Sequence, residues 1–531
     1  MPTVPGCLEL PTMAVEIKGK NDLLEGIFKQ AEYFPQKQAV KGLNNSLSYA
    51  ELIDQINEMA YWLDQHKGDV VGLLMENGPA WVVIDLAAQA AGKVVVPLPL
   101  FFSEKQLSHI LIDAGVSLLF TDNPTRLKQI TTDHFDAKPV SFKSGLLQRE
   151  AISLYQQPII PTENSHLKGV GKVTYTSGTT GAPKGVCLSN EAIFAVTNAL
   201  RERTEALASD CHLCLTPLST LLENIAGIYV PLLAGGRVTV LSAAEVGLKG
   251  VSGLDIQQLF SALITHQATS AILIPQMLLA MVTAIDAGLP KPEKLRFLAV
   301  GGAPVSEKLL ARAKACGLPL FQGYGLSECA SVVAVNGSSD NRIGSVGRPL
   351  SHLQIDFSDA GEIRVKGKLF KGYLGGPNID QNTFWSTGDI GYLDEAGYLW
   401  ITGRKKNLFI TSFGRNVSPE WLESEFSMHL AIQQIVVFGE ARPWSTAIIV
   451  SPLLKGEGGI AKINQIIKQT NEQLPDYAQV KRWIAAKEPF SLQNGQLTGT
   501  ARPRRKEIFA AYQNEIEQLY KSNGEENDNI F

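Results

Sequence analysis

Residues 175–186 read YTSGTTGAPKGV. Ser177, Gly178 and Gly181 and the threonines Thr176, Thr179 and Thr180 precede Lys184, and Gly185 follows it. Glycine lets backbone amides turn toward an anion, hydroxyls add further donors, and an ammonium supplies charge, so this is the composition of a loop that cradles phosphate. The stretch does not fit GxxxxGK[ST], because Pro183 precedes Lys184 and Gly185 follows it, which disfavours an ordinary P-loop NTPase. A flexible Ser/Gly loop is the plain alternative, but it has no reason to order hydroxyls, glycines and a lysine in this way.

On the N-terminal side of this stretch, helical and strand periods alternate. AELIDQINEMAYWLDQH, residues 50–66, places Leu52, Ile56, Met59 and Leu63 on one helical face. VVGLLM, VVVPL and VSLLFT follow as short apolar runs, separated by the helical patterns AWVVIDLAAQAAG and EKQLSHILIDAG. Strands buried on both faces and joined by helices predict a parallel sheet with crossover units. Beyond the stretch the alternation resumes with ATSAILIP, a helix from Gln276, RFLAVGG and a helix from Ser306. Near residue 350 it stops. Runs such as GEIRVKG and GYLWITG predict antiparallel strands with tight turns. After Arg404 come a helix following SPEWLE, a hairpin from IQQIVVFGE to STAIIVS, a helix through AKINQIIKQTNEQL, a strand at RWIAA and one last helix after Arg505. The expected fold class is therefore α/β: a large N-terminal domain, 1–403, with parallel-sheet α/β subdomains, and a small mobile α+β domain, 404–531.

A chain of 531 residues exceeds what one core usually supports. Lys+Arg (48) and Asp+Glu (52) nearly cancel, so there is no overall field for nucleic acid. The six cysteines are too scattered for a disulfide framework, which points to a reducing, cytoplasmic setting. Cys211 and Cys214 flank His212 in a CxxC, but no second ligand pair follows, and CHLCLTPL reads as a buried strand with two inert thiols. The first residues lack the basic start and apolar run of a signal peptide, and the most apolar stretch, 81–102, is too interrupted to span a bilayer. Loose attachment to a membrane surface remains compatible with the sequence.

YTSGTTGAPKGV resembles the phosphate-loop signature of the adenylate-forming enzymes: acyl-CoA synthetases, peptide-synthetase adenylation domains and luciferases. Further motifs follow in that family's order. GGAP, Gly301–Pro304, is similar to the segment whose backbone borders the adenine, which implies roles for Gly302 and Ala303. GYGLSE, Gly323–Glu328, implies Tyr324 on the adenine between Gly323 and Gly325. It also implies Ser327, in place of the commoner threonine, near the α-phosphate, and Glu328 holding magnesium. STGDIG supplies Asp389 for the ribose hydroxyls, and ITGRKKN supplies Arg404, which also reaches the ribose. GRKKNLFITSFGRNVSPEWLE most resembles the long-chain acyl-CoA synthetases, which makes Lys406 the hinge of the small domain and Gly414 part of the pantetheine path in a second orientation. The chemistry of the residues agrees. A carboxylate is a poor acyl donor, because it is anionic and has no leaving group, and attack on the α-phosphate of ATP solves both problems. Such a site needs an amide-lined loop (Thr176 to Gly181), a cation (Lys184) and a carboxylate for Mg²⁺ (Glu328).

Two departures stand out. TPLSTLLENIAG matches the PLxHxxE pattern of the long-chain enzymes at Pro217, Leu218 and Glu223, but Thr220 occupies the histidine position. LTGTAR places Arg502 where the family carries the lysine that bridges carboxylate and α-phosphate during adenylation. Arginine keeps the charge and adds a planar fork of donors. Either Arg502 does the lysine's work, Lys506 reaches in, or adenylation is impaired. The resemblance implies an AMP-forming acid–thiol ligase that uses ATP, Mg²⁺ and coenzyme A on a medium- or long-chain fatty or fatty-like acid. Delivery to an acyl carrier protein, β-lactone formation, and a non-catalytic paralogue that binds AMP or acyl-adenylate are the alternatives. No GxGxxG follows an early strand, which disfavours an oxidoreductase.

Overall fold

The computed structural model describes residues 17–18, 20–130, 138–140, 146, 150–156, 167–176, 183–249, 253–498 and 502–521. The expected helix forms over Tyr49–Gln65, opened by a capping box between Ser48 and Glu51, with Leu52, Ile56, Met59 and Leu63 all buried. The helix Pro79–Ala90 is buried throughout and apolar but for Asp85 and Gln89, which find polar partners in Lys172 and Tyr229, as a helix enclosed by other elements requires.

Two large sheets organise the N-terminal part. In the first, Val70–Leu74 lies between Val94–Pro97 and Leu118–Thr121, all parallel, and Lys172–Thr176 continues the parallel core beside Val94–Pro97. Lys184–Leu188 then returns antiparallel to Lys172–Thr176, with Thr176 opposite Lys184. The glycine- and hydroxyl-rich stretch is thus the connection of a hairpin. The two-residue strand Gly372–Tyr373, from far along the chain, forms the next strand outward, pairing with Val186 and Cys187.

In the second sheet Arg237–Thr239, Cys211–Leu213, Ser270–Leu273, Phe297–Val300 and Leu320–Tyr324 run parallel. Gln38–Lys41 joins them from the N-terminus, Val40 lying opposite Val238. One face of this sheet, with Ala271, Leu273, Leu298 and Val300, packs on the helices Ile256–Thr265, Pro275–Asp286 and Glu307–Ala315. On the other face Phe297 and Phe321 stack at 4.3 Å and join the main core. Both sheets carry antiparallel strands at their edges, which the purely parallel expectation did not include: some return from nearby, as Ser46–Ser48 does on Gln38–Lys41, and Gly372–Tyr373 comes from far along the chain.

Leu353–Phe357, Glu362–Gly367, Trp385–Leu393 and Leu399–Arg404 form the expected antiparallel sheet. The C-terminal domain has a three-stranded sheet: Gln434–Phe438 and Ser445–Val450 form the expected hairpin, and Val480–Ala485 lies parallel to the latter. The single last helix is in fact two, Arg505–Ala511 and Gln513–Lys521. They meet at Tyr512, which is buried and whose hydroxyl accepts from the Lys487 amide. The domain is seated on the helix Glu307–Ala315 by Glu425, which accepts from Ser306 Oγ at 2.9 Å and pairs with Lys308 Nζ at 2.9 Å. Among the described residues no helix is long and apolar enough to cross a membrane.

Candidate active site

The phosphate hairpin presents Thr176 and Lys184 at its mouth, both lining a cleft of about 2870 Å³. Ser177, Gly178, Thr179, Thr180 and Gly181 lie outside the described residues. Lys184 Nζ sits 5.5 Å above the ring of Tyr373, a cation–π arrangement. The Tyr373 hydroxyl donates to Glu328 Oε1 at 2.7 Å, and burial, reinforced by Glu328, pushes that hydroxyl's pKa up, so it stays a donor. Tyr373 thus links the expected phosphate cation to the expected metal carboxylate. Sequence reading missed it, because only strand pairing across the length of the domain brings it there.

Glu328 is held by a tight backbone. It lies in the 3₁₀ turn Ser327–Cys329, followed by two non-glycine residues in left-handed conformation, Ala330 (φ 51°) and Ser331 (φ 97°). Such residues are uncommon and cluster at functional sites. A Cβ on Gly325 would stand 1.7 Å from the Ser331 carbonyl oxygen, so only glycine permits the turn to close. One Glu328 oxygen is engaged by Tyr373, and a carboxylate offers a second oxygen to a hard cation, so the donor chemistry fits Mg²⁺.

Asp389 and Arg404 lie opposite each other on adjacent antiparallel strands. Arg404 Nε donates to Asp389 Oδ1 at 2.8 Å and the Tyr324 hydroxyl donates to Oδ2 at 2.6 Å. Burial works against the charge on Arg404, but Asp389, Tyr324 and Glu420 together hold the guanidinium above its ordinary pKa. An ionised carboxylate has about four lone-pair sites. Two internal donors leave room for a pair of adjacent hydroxyls, the pattern a ribose presents.

Arg502 reaches this cleft from the C-terminal domain. Its Nη2 donates to the Gly302 carbonyl at 2.7 Å. The residue is solvent-accessible, yet its guanidinium is crowded by the cleft walls and by Arg404, which lower its pKa, while Asp389, Glu420 and Glu328 pull the other way. Lys406 faces the same cleft, its pKa lowered by burial, Arg404 and Arg502. Gly302, Ala303, Gly323, Gly325 and Ser327 line the cleft. Gly414 does not. It is exposed in a separate hairpin, with Phe409–Ile410 paired to Asn416–Val417. Lys506 also borders the cleft, but Arg505 is committed to a two-pronged pair with Glu423.

One cleft thus brings together Thr176 and Lys184 at the hairpin mouth, Glu328 with Tyr373, the Asp389–Arg404 pair and Arg502 from the C-terminal domain. The sequence profile described as AMP-binding enzyme matches residues 27–374, and the one described as AMP-binding enzyme C-terminal domain matches residues 406–524. The chain belongs to the AMP-binding enzyme family. Among curated members of the family, it is 26% identical to a long-chain-fatty-acid–CoA ligase of Mycobacterium bovis, the match covering 92% of this chain and 94% of that protein. It is 29% identical to a 2-succinylbenzoate–CoA ligase of Bacillus pumilus, covering 78% and 84% respectively. Among solved structures of AMP-binding enzymes, the fold is similar to o-succinylbenzoate CoA synthetase from Bacillus subtilis in complex with its acyl-adenylate intermediate. The TM-score is 0.72 at 22% identity, covering 91% of this chain and 97% of that one. The same Bacillus enzyme in complex with ATP and magnesium ion superposes with a TM-score of 0.70, at 22% identity over 91% of this chain and 98% of that one.

Proposed function

We propose that this AMP-binding enzyme activates a carboxylic acid with ATP, releasing pyrophosphate, and passes the acyl group from AMP to coenzyme A. The observation that carries the reading is the Arg502 guanidinium on the Gly302 carbonyl, in one cleft with Glu328, Asp389 and Arg404. In the proposed reaction this cation would draw a substrate carboxylate onto the α-phosphate.

The residues divide the work. Asp389, oriented by Tyr324 and Arg404, takes the ribose hydroxyls. Lys184 neutralises phosphate at the hairpin mouth. Glu328, held by Tyr373, would bind Mg²⁺, which supplies charge neutralisation on the phosphates. Arg502 offers the carboxylate and the α-phosphate two directed donors, compensating charge that builds as the new P–O bond forms and pyrophosphate leaves. Residues 404–531 act as the mobile unit that brings Arg502 in, with Lys406 as pivot, and Gly414 joins the thiol path in a second orientation. The substrate is a medium- or long-chain fatty or fatty-like acid, in line with the curated fatty-acid ligases, although the aryl-acid ligases among the relatives share the fold. Exchange of labelled pyrophosphate into ATP, run over a panel of acids, tests the first step. Exchange with no acid sinks the reading. Formation of acyl-CoA on addition of coenzyme A tests the second step against delivery to a carrier protein.

A further inference from the structure

Beside the reaction centre the cleft continues along one face of the second sheet. His212 lies opposite Ser270 and Ser270 opposite Phe297 on adjacent parallel strands, so all three project from that face at one level. Ile272 and Ala299 pair one step higher on the same face, and Leu222 and Ala226 also line the cleft. The walls are thus apolar, but the level of Ser270 is not.

A buried relay explains this. Glu223, fully buried, accepts on Oε2 from the Thr216 amide at 3.0 Å and the Thr216 hydroxyl at 2.6 Å. Its Oε1 faces His212 Nε2 at 2.9 Å, and His212 Nδ1 faces Ser270 Oγ at 3.0 Å. The segment Glu223–Tyr229 is π-helical, and a Cβ on Gly227 would stand 2.4 Å from Glu223 Oε1 and 2.8 Å from His212 Nε2. A wider helical turn and an absent side chain thus make room for the pair. Cys214 adjoins the group, and burial, then Glu223, push its thiol pKa well up, so that beside the relay it is a neutral neighbour. The relay ends at Ser270, which is only half-buried and borders the cleft. A hydroxyl has one donor and two acceptor sites, so the contact with His212 leaves capacity directed at whatever fills the cleft.

We infer that the acid this enzyme activates carries a hydrogen-bonding polar group, a hydroxyl or an equivalent oxygen or nitrogen function, within its acyl part, and that Ser270 binds it. This rests on the ligase reading above. Ser270 is level with Phe297, three residues below Val300 and the Gly301–Gly302 turn that Arg502 reaches. At about 3.3 Å per residue Ser270 lies roughly 10 Å along the strands from Val300, which leads into the Gly301–Gly302 turn. An unbroken alkyl chain would cover Ser270 and strand its remaining hydrogen-bonding capacity, which is unfavourable.

The test is pyrophosphate exchange with dodecanoic acid and its mono-hydroxylated isomers, using the full chain. The best isomer should exceed dodecanoic acid in kcat/KM by roughly tenfold or more. Ser270→Ala should bring that ratio to about one, and Ser270→Thr, which keeps the hydroxyl, should restore most of it. Equal or better exchange with dodecanoic acid, or a ratio that survives Ser270→Ala, overturns the inference and leaves the ligase reading standing. Exchange with no acid at all overturns the ligase reading, and this inference with it.

Discussion

Arg502 illustrates how much rests on the shape of one cation. Its Nη2 is spent on the Gly302 carbonyl, yet a guanidinium has further N–H groups in the same plane to offer a substrate, whereas an ammonium donates from a single point. Arg502→Ala should therefore lower the exchange rate about 10²- to 10³-fold, and Arg502→Lys by about tenfold, because lysine cannot anchor on Gly302 and reach the phosphate with equal directness. Thioester formation from supplied acyl-adenylate is the control and should fall less. A gain of exchange in the lysine variant would instead mark arginine as an impairing substitution. Most of the residues that line the cleft around Arg502 were legible in the sequence because each lies in a short, contiguous motif with its own chemistry. Tyr373 was not, since it sits in no such motif and meets Glu328 and Lys184 only through the added strand Gly372–Tyr373. The Glu223–His212–Ser270 relay was hidden for a related reason: its members come from three elements and meet only when two strands pair in register.

Single elements carry their own liabilities. The strand Lys172–Thr176, which leads into the phosphate hairpin, starts from a lysine with no exposed surface. Lys172 pairs with Asp85 at 2.8 Å, is bonded to the Tyr229 hydroxyl at 2.7 Å and also contacts Asn224. Lys172→Met should destabilise the fold by about 3–5 kcal/mol by leaving the buried Asp85 without its counter-charge, held only by Tyr229, Asn224 and Gln89, and adding Asp85→Leu should recover most of that loss in urea unfolding. His352, at the start of the strand Leu353–Phe357, has both ring nitrogens buried without a hydrogen-bond partner, and burial lowers its pKa to about 4. Its neutral form is favoured in the folded state, so the unfolded chain binds the extra proton between pH 6.5 and 4. The group's contribution is complete above the ordinary histidine pKa and is lost as pH falls through that window, by at most about 3 kcal/mol. His352→Leu should flatten the difference in unfolding midpoint between pH 7 and 5; an unchanged difference would contradict this. The strands themselves were readable as apolar runs. Their antiparallel edge partners were not, because strands of two or three residues such as Ser46–Ser48, Ala334–Val335 and Gly372–Tyr373 are too short to show a period, and an apolar run does not encode the direction of its neighbour.

At the scale of the molecule, the C-terminal domain meets the large one through the same short segment twice: Arg502 on Gly302, and Glu425 on Ser306 and Lys308. Glu425→Gln and Lys308→Gln should each lower exchange roughly three- to tenfold, and the double variant should fall little further, since both remove one interaction. Fully additive losses would show that the two act separately. The pairing of Val40 with Val238 bears on how the protein is made. Translation at about 5–20 residues per second needs roughly 10–40 s to supply the ~200 residues between them, far longer than local collapse takes. Meanwhile Gln38–Lys41 has only the antiparallel Ser46–Ser48 to lie against. The sheet that carries the phosphate hairpin draws all but one of its strands from residues 70–188, so it can close in one continuous run of synthesis. Its neighbour must instead close around a strand that left the ribosome first and waited longest.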